Sequence, residues 1–333
     1  MSNAPDARPA TLLLTFGADR DDQIRVRDGR VTVAGSSDLY GLIDPDHPHH
    51  RLQITRNFLR QNRKADLSRY HVVLNLITEP EHNDKVLENL KRLLRGFRGK
   101  VINRPEAVTR STRDQVAKRL ADIPGLVVPK ATRLKKADPA KVQDKLDRAG
   151  MTFPLIVREP GTHLGTTQAR VDDLDALVAV MEPGTEYIAT QFVDYRSVDG
   201  LYRKCRIWFI GPHTIFRHQF ASDHWNVHNK DGLRFMADRP DLIAEEKALF
   251  ATPEGAFPPE VKEVLSAVRE RIDLDYFGID FGVMPDGQVI LFEANATMNF
   301  FSVLPSDEFA YVRACVPPAR AALRELLCLP PAA

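Results

Sequence analysis

The chain has 333 residues, with 46 Lys+Arg against 45 Asp+Glu and a formal net charge of +1, so it lacks the strongly basic footprint of a protein held mainly by nucleic-acid phosphates. Hydrophobic residues make up 43% and charged residues 27%, a balance that supplies a sizeable core and excludes general disorder. Three widely spaced cysteines (Cys205, Cys315, Cys328) exclude a disulfide framework and a cysteine-only metal site, and no apolar run approaches the roughly 18 residues of a membrane span.

At about 150 residues per domain, the length suggests two domains or one α/β body with lobes. Met1–Ala10 is polar and Pro/Ala-rich rather than an apolar signal segment, so the expected setting is cytoplasmic with buried, reduced thiols. Thr11–Phe16, closed by Gly17, reads as a first buried strand, and the Asp44–His50 run as a Pro-rich exposed loop. His71–Ile77 is a second strand. Asn83–Phe97 carries apolar residues at Val86, Leu87, Leu90, Leu93, Leu94 and Phe97, the stripe of an amphipathic helix. Val101–Ile102 is a third short strand, and the alternation predicts a small α/β lobe over the first hundred or so residues.

After Pro105, Ser111 followed by Asp114 resembles a capping box and predicts a helix ending near Ile123-Pro124-Gly125. Leu126–Val128 begins a strand. Asp138-Pro139 starts a helix stopped by Gly150. Phe153–Arg158 is a strand, Glu159–Thr167 a glycine-containing loop, and Asp173–Met181 a helix. Tyr187–Val193 and Lys204–Ile210 are strands, and Val261–Ile272 a helix. Ser222–Phe257 has weak periodicity with several Pro and Gly residues, which predicts a loop-rich segment close to function.

The stretch Ile279–Asn295 is the most informative. Asp286-Gly287 is a two-residue hairpin signal, and counting back from it places Asp280 opposite Glu293. Alternation puts Asn295 on the same face as Glu293. Two carboxylates that face each other inside apolar strands repel unless a cation sits between them. Two carboxylates and an amide oxygen are hard ligands suited to Mg²⁺.

Asp280 with LFEAN (Leu291–Asn295) resembles the final motif of the ATP-grasp superfamily, as in D-alanine–D-alanine ligases, glutathione synthetases and the ribosomal-protein glutamate ligases. Further stretches of similar kind follow in order: NRPEAVTRSTRDQVAKRL (Asn103–Leu120), FPLIVREPGTHLGT (Phe153–Thr166) and TQFVD (Thr190–Asp194). The resemblance implies an α/β (α+β) ATP-grasp fold with a small N-terminal α/β pre-ATP-grasp domain. The division it suggests is 1–104 for that domain, 105–190 for the nucleotide-clamping small lobe, and 191–333 for the C-terminal lobe with the metal site.

It also implies roles. Arg113 and Arg158 clamp phosphates, Gly161 and Gly165 let the loop close over them, and Gln191, Phe192, Val193 and Asp194 form the hinge that meets adenine. Lys204 stands where an acidic ribose ligand is usual, leaving Asp194 or Asp199 as substitutes. Ile279 stands where D-alanine ligases have Arg. Asp280, Glu293 and Asn295 hold Mg²⁺ (or Mn²⁺). The implied reaction makes an acylphosphate from a carboxylate and ATP, then an amide from that acylphosphate and an amine. Such chemistry calls for charge neutralisation rather than a protein nucleophile. Arg206 and Arg217 are therefore expected at the phosphate or substrate carboxylate.

Four histidines (His213, His218, His224, His228) lie close together around SDHWNVH (Ser222–His228), and His218 and His224 are the expected acceptor-side or base residues. The expected partners are small-molecule or peptide carboxylates and amines, not nucleic acid or membrane, with a homodimer as the oligomer considered. The alternatives are a carboxylate–thiol ligase or phosphotransferase of the same fold, and a non-catalytic nucleotide-binding regulatory module.

Overall fold

Leu12, Leu13 and Leu14 are buried in strand β1 (Leu12–Ala18), which pairs in parallel with β4 (His49–Thr55) and β5 (Val72–Asn75). The computed structural model describes residues 12–20, 24–27, 30–33, 35–61, 65–160, 169–301 and 307–329. β6 (Lys100–Ile102) completes a four-stranded sheet in the order β4-β1-β5-β6. Its central strands are covered on both faces, which is why they read as continuous apolar runs. β2 (Ile24–Arg27) and β3 (Arg30–Val33) pair separately as an antiparallel ribbon. Helix α1 (Asp84–Leu93) buries Val86, Leu87 and Leu90 against Ile54, Ile77 and Val108.

Two expectations fail in this first third. The run Asp44–His50 is not wholly loop, because His49 and His50 open β4. This edge strand is half exposed, so it lacks the apolar run of its neighbour. Beyond Pro105 come two helices rather than one, α2 (Pro105–Thr109) and α3 (Arg113–Leu120). The α3 N-cap is Thr112 and makes no side-chain capping bond, while the Ser111 hydroxyl donates back to the Val108 carbonyl at 2.7 Å.

β7 (Leu126–Val127) joins the largest sheet before the chain enters the second one. That second sheet is antiparallel, in the order β10-β9-β11-β8. Its strands are β8 (Ala131–Lys135), β9 (Leu155–Arg158), β10 (Ala169–Val171) and β11 (Glu186–Gln191). α4 (Pro139–Arg148) and α5 (Leu174–Val180) bury Val142, Leu146 and Leu177 in one cluster with the sheet. Asp138 caps α4 as the sequence predicts, and Asp173 caps α5, accepting from the Ala140 and Ala176 amides respectively.

The third sheet runs β13-β12-β14-β15-β7. It contains β12 (Tyr202–Ile210), β13 (His213–Ser222), β14 (Tyr276–Val283) and β15 (Val289–Asn295). Trp208, Phe209, Phe216, Tyr276 and Phe281 form its core with α8 (Pro259–Arg271) and α9 (Val316–Leu326). Between β13 and α8, the segment expected to be loop-rich contains α6 (Asn229–Ala237) and α7 (Pro240–Leu249). Gly232 sits mid-helix because a Cβ there would lie 2.8 Å from the Phe220 Cβ. Glu246 lies on the buried face of α7 with Leu242 and Ile243. A glycine and a buried charge blurred the periodicity.

Asn103, at φ 53, joins the first sheet to the third. Its side chain accepts from the Asp275 and Tyr276 amides at 2.7 and 3.1 Å and donates to the Tyr276 carbonyl at 2.8 Å. Cys205 and Cys315 are buried free thiols as expected, but Cys328 is exposed. Among the described residues, no helix is long and apolar enough to cross a membrane.

Candidate active site

Four side chains stand in one row across four strands of the large sheet. Arg206 on β12 pairs with His218 on β13 and with Asp280 on β14, and Asp280 pairs with Glu293 on β15. Register partners share a face, so the row presents imidazole, guanidinium, carboxylate and carboxylate side by side. A bulge lies beside each end of it. The register shifts between Arg206 and Ile207, leaving Arg217 as the extra residue of β13, and between Asp280 and Phe281, leaving Phe292 as the extra residue of β15. Bulges next to a site re-aim side chains and carbonyls.

The predicted facing of Asp280 and Glu293 is therefore found, but not by the predicted route. The hairpin loop has three residues, with the Met284 amide bonded to the Gln288 carbonyl and Gly287 at φ 85. This moves the register by one, and the bulge at Phe292 moves it back.

Asp280 is buried, and both its oxygens are held. Arg206 Nε donates to Oδ1 at 2.7 Å, Arg206 Nη2 donates to Oδ2 at 2.9 Å, and Lys204 Nζ lies 3.6 Å from Oδ2. Burial acts to raise the Asp280 pKa, but Arg206 and Lys204 outweigh it and hold the carboxyl well below its usual range. Lys204 is pushed down by its own burial, with Asp280 opposing. It thus meets the carboxylate of the row rather than standing apart at a ribose position.

Glu293 Oε1 is 2.8 Å from Arg113 Nη2 and accepts from Asn295 Nδ2 at 2.9 Å, so Asn295 shares its face as predicted. Arg113 Nη1 also donates to the carbonyl of the bulged Phe292 at 2.5 Å. The Asn295 Oδ1 accepts from the Thr297 and Met298 amides, both at 2.9 Å. That oxygen is occupied by the following turn, and Asn295 orients Glu293. As cation ligands the opposed carboxylates Asp280 and Glu293 fit the hard-oxygen chemistry of Mg²⁺ or Mn²⁺. Among the described residues, no group of three or more His, Cys, Asp or Glu is gathered to hold an ion.

Arg113, Arg158, Glu293 and Asn295 line one cavity with Thr112 and Thr297. The Thr112 and Thr297 hydroxyl oxygens are buried there with no hydrogen-bond partner among the described residues. Burial, reinforced by Arg113 and opposed by Glu293, lowers the Arg158 pKa to about 10. Glu79 and Glu81, on the chain after β5, complete the wall. Elements from all three larger sheets therefore meet at this cavity, which sets the Arg113 and Arg158 guanidiniums beside the Glu293 carboxylate.

At the other end of the row, His218 is 3% exposed and stacks on Phe220 at 4.0 Å and 21°. Neither ring nitrogen has a hydrogen-bond partner among the described residues. Burial first, then Arg206 and Arg217, push its pKa well below the usual histidine value, so the ring is neutral. Arg217 is buried, with Nε donating to the Phe300 carbonyl at 2.5 Å. Asp38, from the first sheet's side of the molecule, accepts from the Phe300 and Phe301 amides at 2.7 and 2.9 Å. Nothing in the sequence marked Asp38, Glu79 or Thr297, because each reaches the site only through the tertiary fold.

The remaining residues are scattered or already engaged. His224 is exposed, and its Nδ1 accepts from the Asn226 amide at 3.2 Å. In the hinge, the Gln191 side chain bonds Thr152 in both directions, the Phe192 amide donates to the Pro154 carbonyl, and Val193 packs on a core cluster. Asp194 pairs with Arg196 and Asp199 with Arg203. Gly161 and Gly165 lie outside the described residues.

No family model matches the sequence, and no curated protein matches it. Solved structures do resemble the fold. One is the D-Ala:D-Ser ligase VanG of Enterococcus faecalis, with a TM-score of 0.55 and 13% identity over 95% of this chain and 99% of that one. A RimK domain ATP-grasp protein of Sphaerobacter thermophilus gives 0.52 and 14% over 96% and 100%. A D-alanine–D-alanine ligase of Bacillus anthracis gives 0.50 and 15% over 95% and 99%. At these identities the likeness is one of fold.

Proposed function

We propose, from the ATP-grasp fold that this chain has, that it is an ATP- and Mg²⁺-dependent ligase joining a carboxylate to an amine through an acylphosphate, with release of ADP and phosphate. The observation that carries this reading is the row Arg206–Asp280–Glu293 running into the cavity of Arg113 and Arg158. It sets opposed carboxylates beside two guanidiniums, a donor set for a cation and a polyphosphate together. Residues 1–104 then serve as the preceding domain, 105–190 as the clamping lobe and 191–333 as the lobe with the metal site.

In this reading Asp280 and Glu293 hold the divalent cation, and the cation neutralises charge on the phosphates when bound. Arg113 and Arg158 orient the phosphates. Arg206 faces the phosphate or acylphosphate, Arg217 the substrate carboxylate, and the neutral His218 ring lies on the acceptor side of the row. The Phe192–Asp194 backbone meets adenine. The protein is expected in the cytoplasm, acting on small-molecule or peptide substrates.

Incubation of the purified protein with ATP, Mg²⁺ and a mixture of amino acids and dipeptides should release ADP and phosphate, with a new amide mass by mass spectrometry. ATP binding with no turnover across broad mixtures would favour the non-catalytic nucleotide-binding module instead.

A further inference from the structure

The carboxylates assigned to the cation do not stand open. Asp280 is 4% exposed, and the Arg206 fork covers both of its oxygens at 2.7 and 2.9 Å, with Lys204 at 3.6 Å. Glu293 has Arg113 at 2.8 Å. A bidentate guanidinium takes one lone pair on each oxygen and its charge repels a small cation, and such a pair is among the stronger polar contacts a protein makes.

The balance of charge points the same way. Arg206 and Lys204 hold Asp280, and Arg113 holds Glu293, so each carboxylate already has a cationic partner. A divalent ion arriving alone must break those pairs and leave a displaced guanidinium without an anion in a partly buried site, which is costly. A polyphosphate arriving with it gives the displaced guanidinium a new bidentate partner.

We propose that Arg206, assisted by Lys204, is a positioning residue that keeps Asp280 closed to divalent cations until a nucleotide polyphosphate draws the guanidinium away. Cation and nucleotide then enter only as a pair. The proposal rests on the ligase reading of the site. It gives Lys204 a role, since an acidic ribose ligand at that position would leave Asp280 with one cation fewer. A bare site would bind any passing divalent ion, whereas this one discriminates by requiring the phosphate.

The test is Mn²⁺ binding to the full chain, followed by the loss of the free-ion paramagnetic resonance signal, with and without a nonhydrolysable ATP analogue. Wild type should take up Mn²⁺ only with the analogue present. Arg206→Met should bind Mn²⁺ without the analogue at least tenfold more tightly than wild type, and Arg206→Met/Asp280→Asn should lose that gain. Lys204→Met should shift in the same direction by less, and it carries this arm if Arg206→Met fails to fold. Equal Mn²⁺ affinity in wild type with and without the analogue overturns the proposal and leaves the ligase reading standing. So does a folded Arg206→Met or Lys204→Met with no gain. Absence of Mn²⁺ uptake by wild type even with the analogue overturns the ligase reading and the proposal together.

Discussion

Asp280 and Glu293 face each other across β14 and β15 because two one-residue displacements cancel, a three-residue hairpin loop and a bulge at Phe292. The bulge also turns the Phe292 carbonyl to Arg113, the residue that holds Glu293.

Arg158 is buried at the end of β9 with its pKa lowered to about 10, so it remains charged at neutral pH in a dry setting where one guanidinium counts heavily. Arg158→Ala should weaken analogue binding by about tenfold to a hundredfold, with Arg158→Lys in between. Isothermal titration measures this, and unchanged affinity in Arg158→Ala would remove it from the phosphate site.

Asn103 joins two sheets with three side-chain hydrogen bonds from a left-handed backbone position. Asn103→Ala leaves buried backbone groups unpaired and adds strain, which should cost about 2–4 kcal/mol in denaturant unfolding. Activity per folded molecule should be nearly unchanged.

Glu246 carries a pH signature. Burial raises its pKa from 4.5 to about 7, against the opposing bonds from Tyr311 and the Gln219 amide. The folded state thus holds a proton that the unfolded state has released, so its stabilisation is full below pH 4.5 and is lost as pH rises through about 7. Wild type minus Glu246→Gln, measured by urea unfolding, should fall across that window by up to about 3 kcal/mol.

His218 has the opposite sign. Its folded pKa lies well below 6.5, so its contribution is full above that pH and is lost on acidification. The stability difference between wild type and His218→Phe should shrink as pH drops from 7 toward 5.

Much of this was legible in the chain. The row's carboxylates announced themselves as charges inside apolar strands, and Asp138 marked its helix because capping is local chemistry. Edge strand β4 was missed because half-exposed positions carry no apolar run, and α7 because Glu246 interrupts its buried face. The pairing of Arg206 with Asp280 joins residues 74 positions apart, and that of Asp38 with Phe300 joins residues 262 apart. Contacts of that kind depend on sheet order, which no local pattern encodes.

The central claim is that Asp280 and Glu293 form the cation end of a nucleotide site. Titration calorimetry of a nonhydrolysable ATP analogue into wild type and Glu293→Gln, each with and without Mg²⁺, tests it directly. Wild type should bind at least tenfold more tightly with Mg²⁺, and Glu293→Gln, folded to the same extent, should lose that dependence. Analogue binding in wild type that ignores Mg²⁺, or a Glu293→Gln variant that keeps the full Mg²⁺ effect, would contradict it.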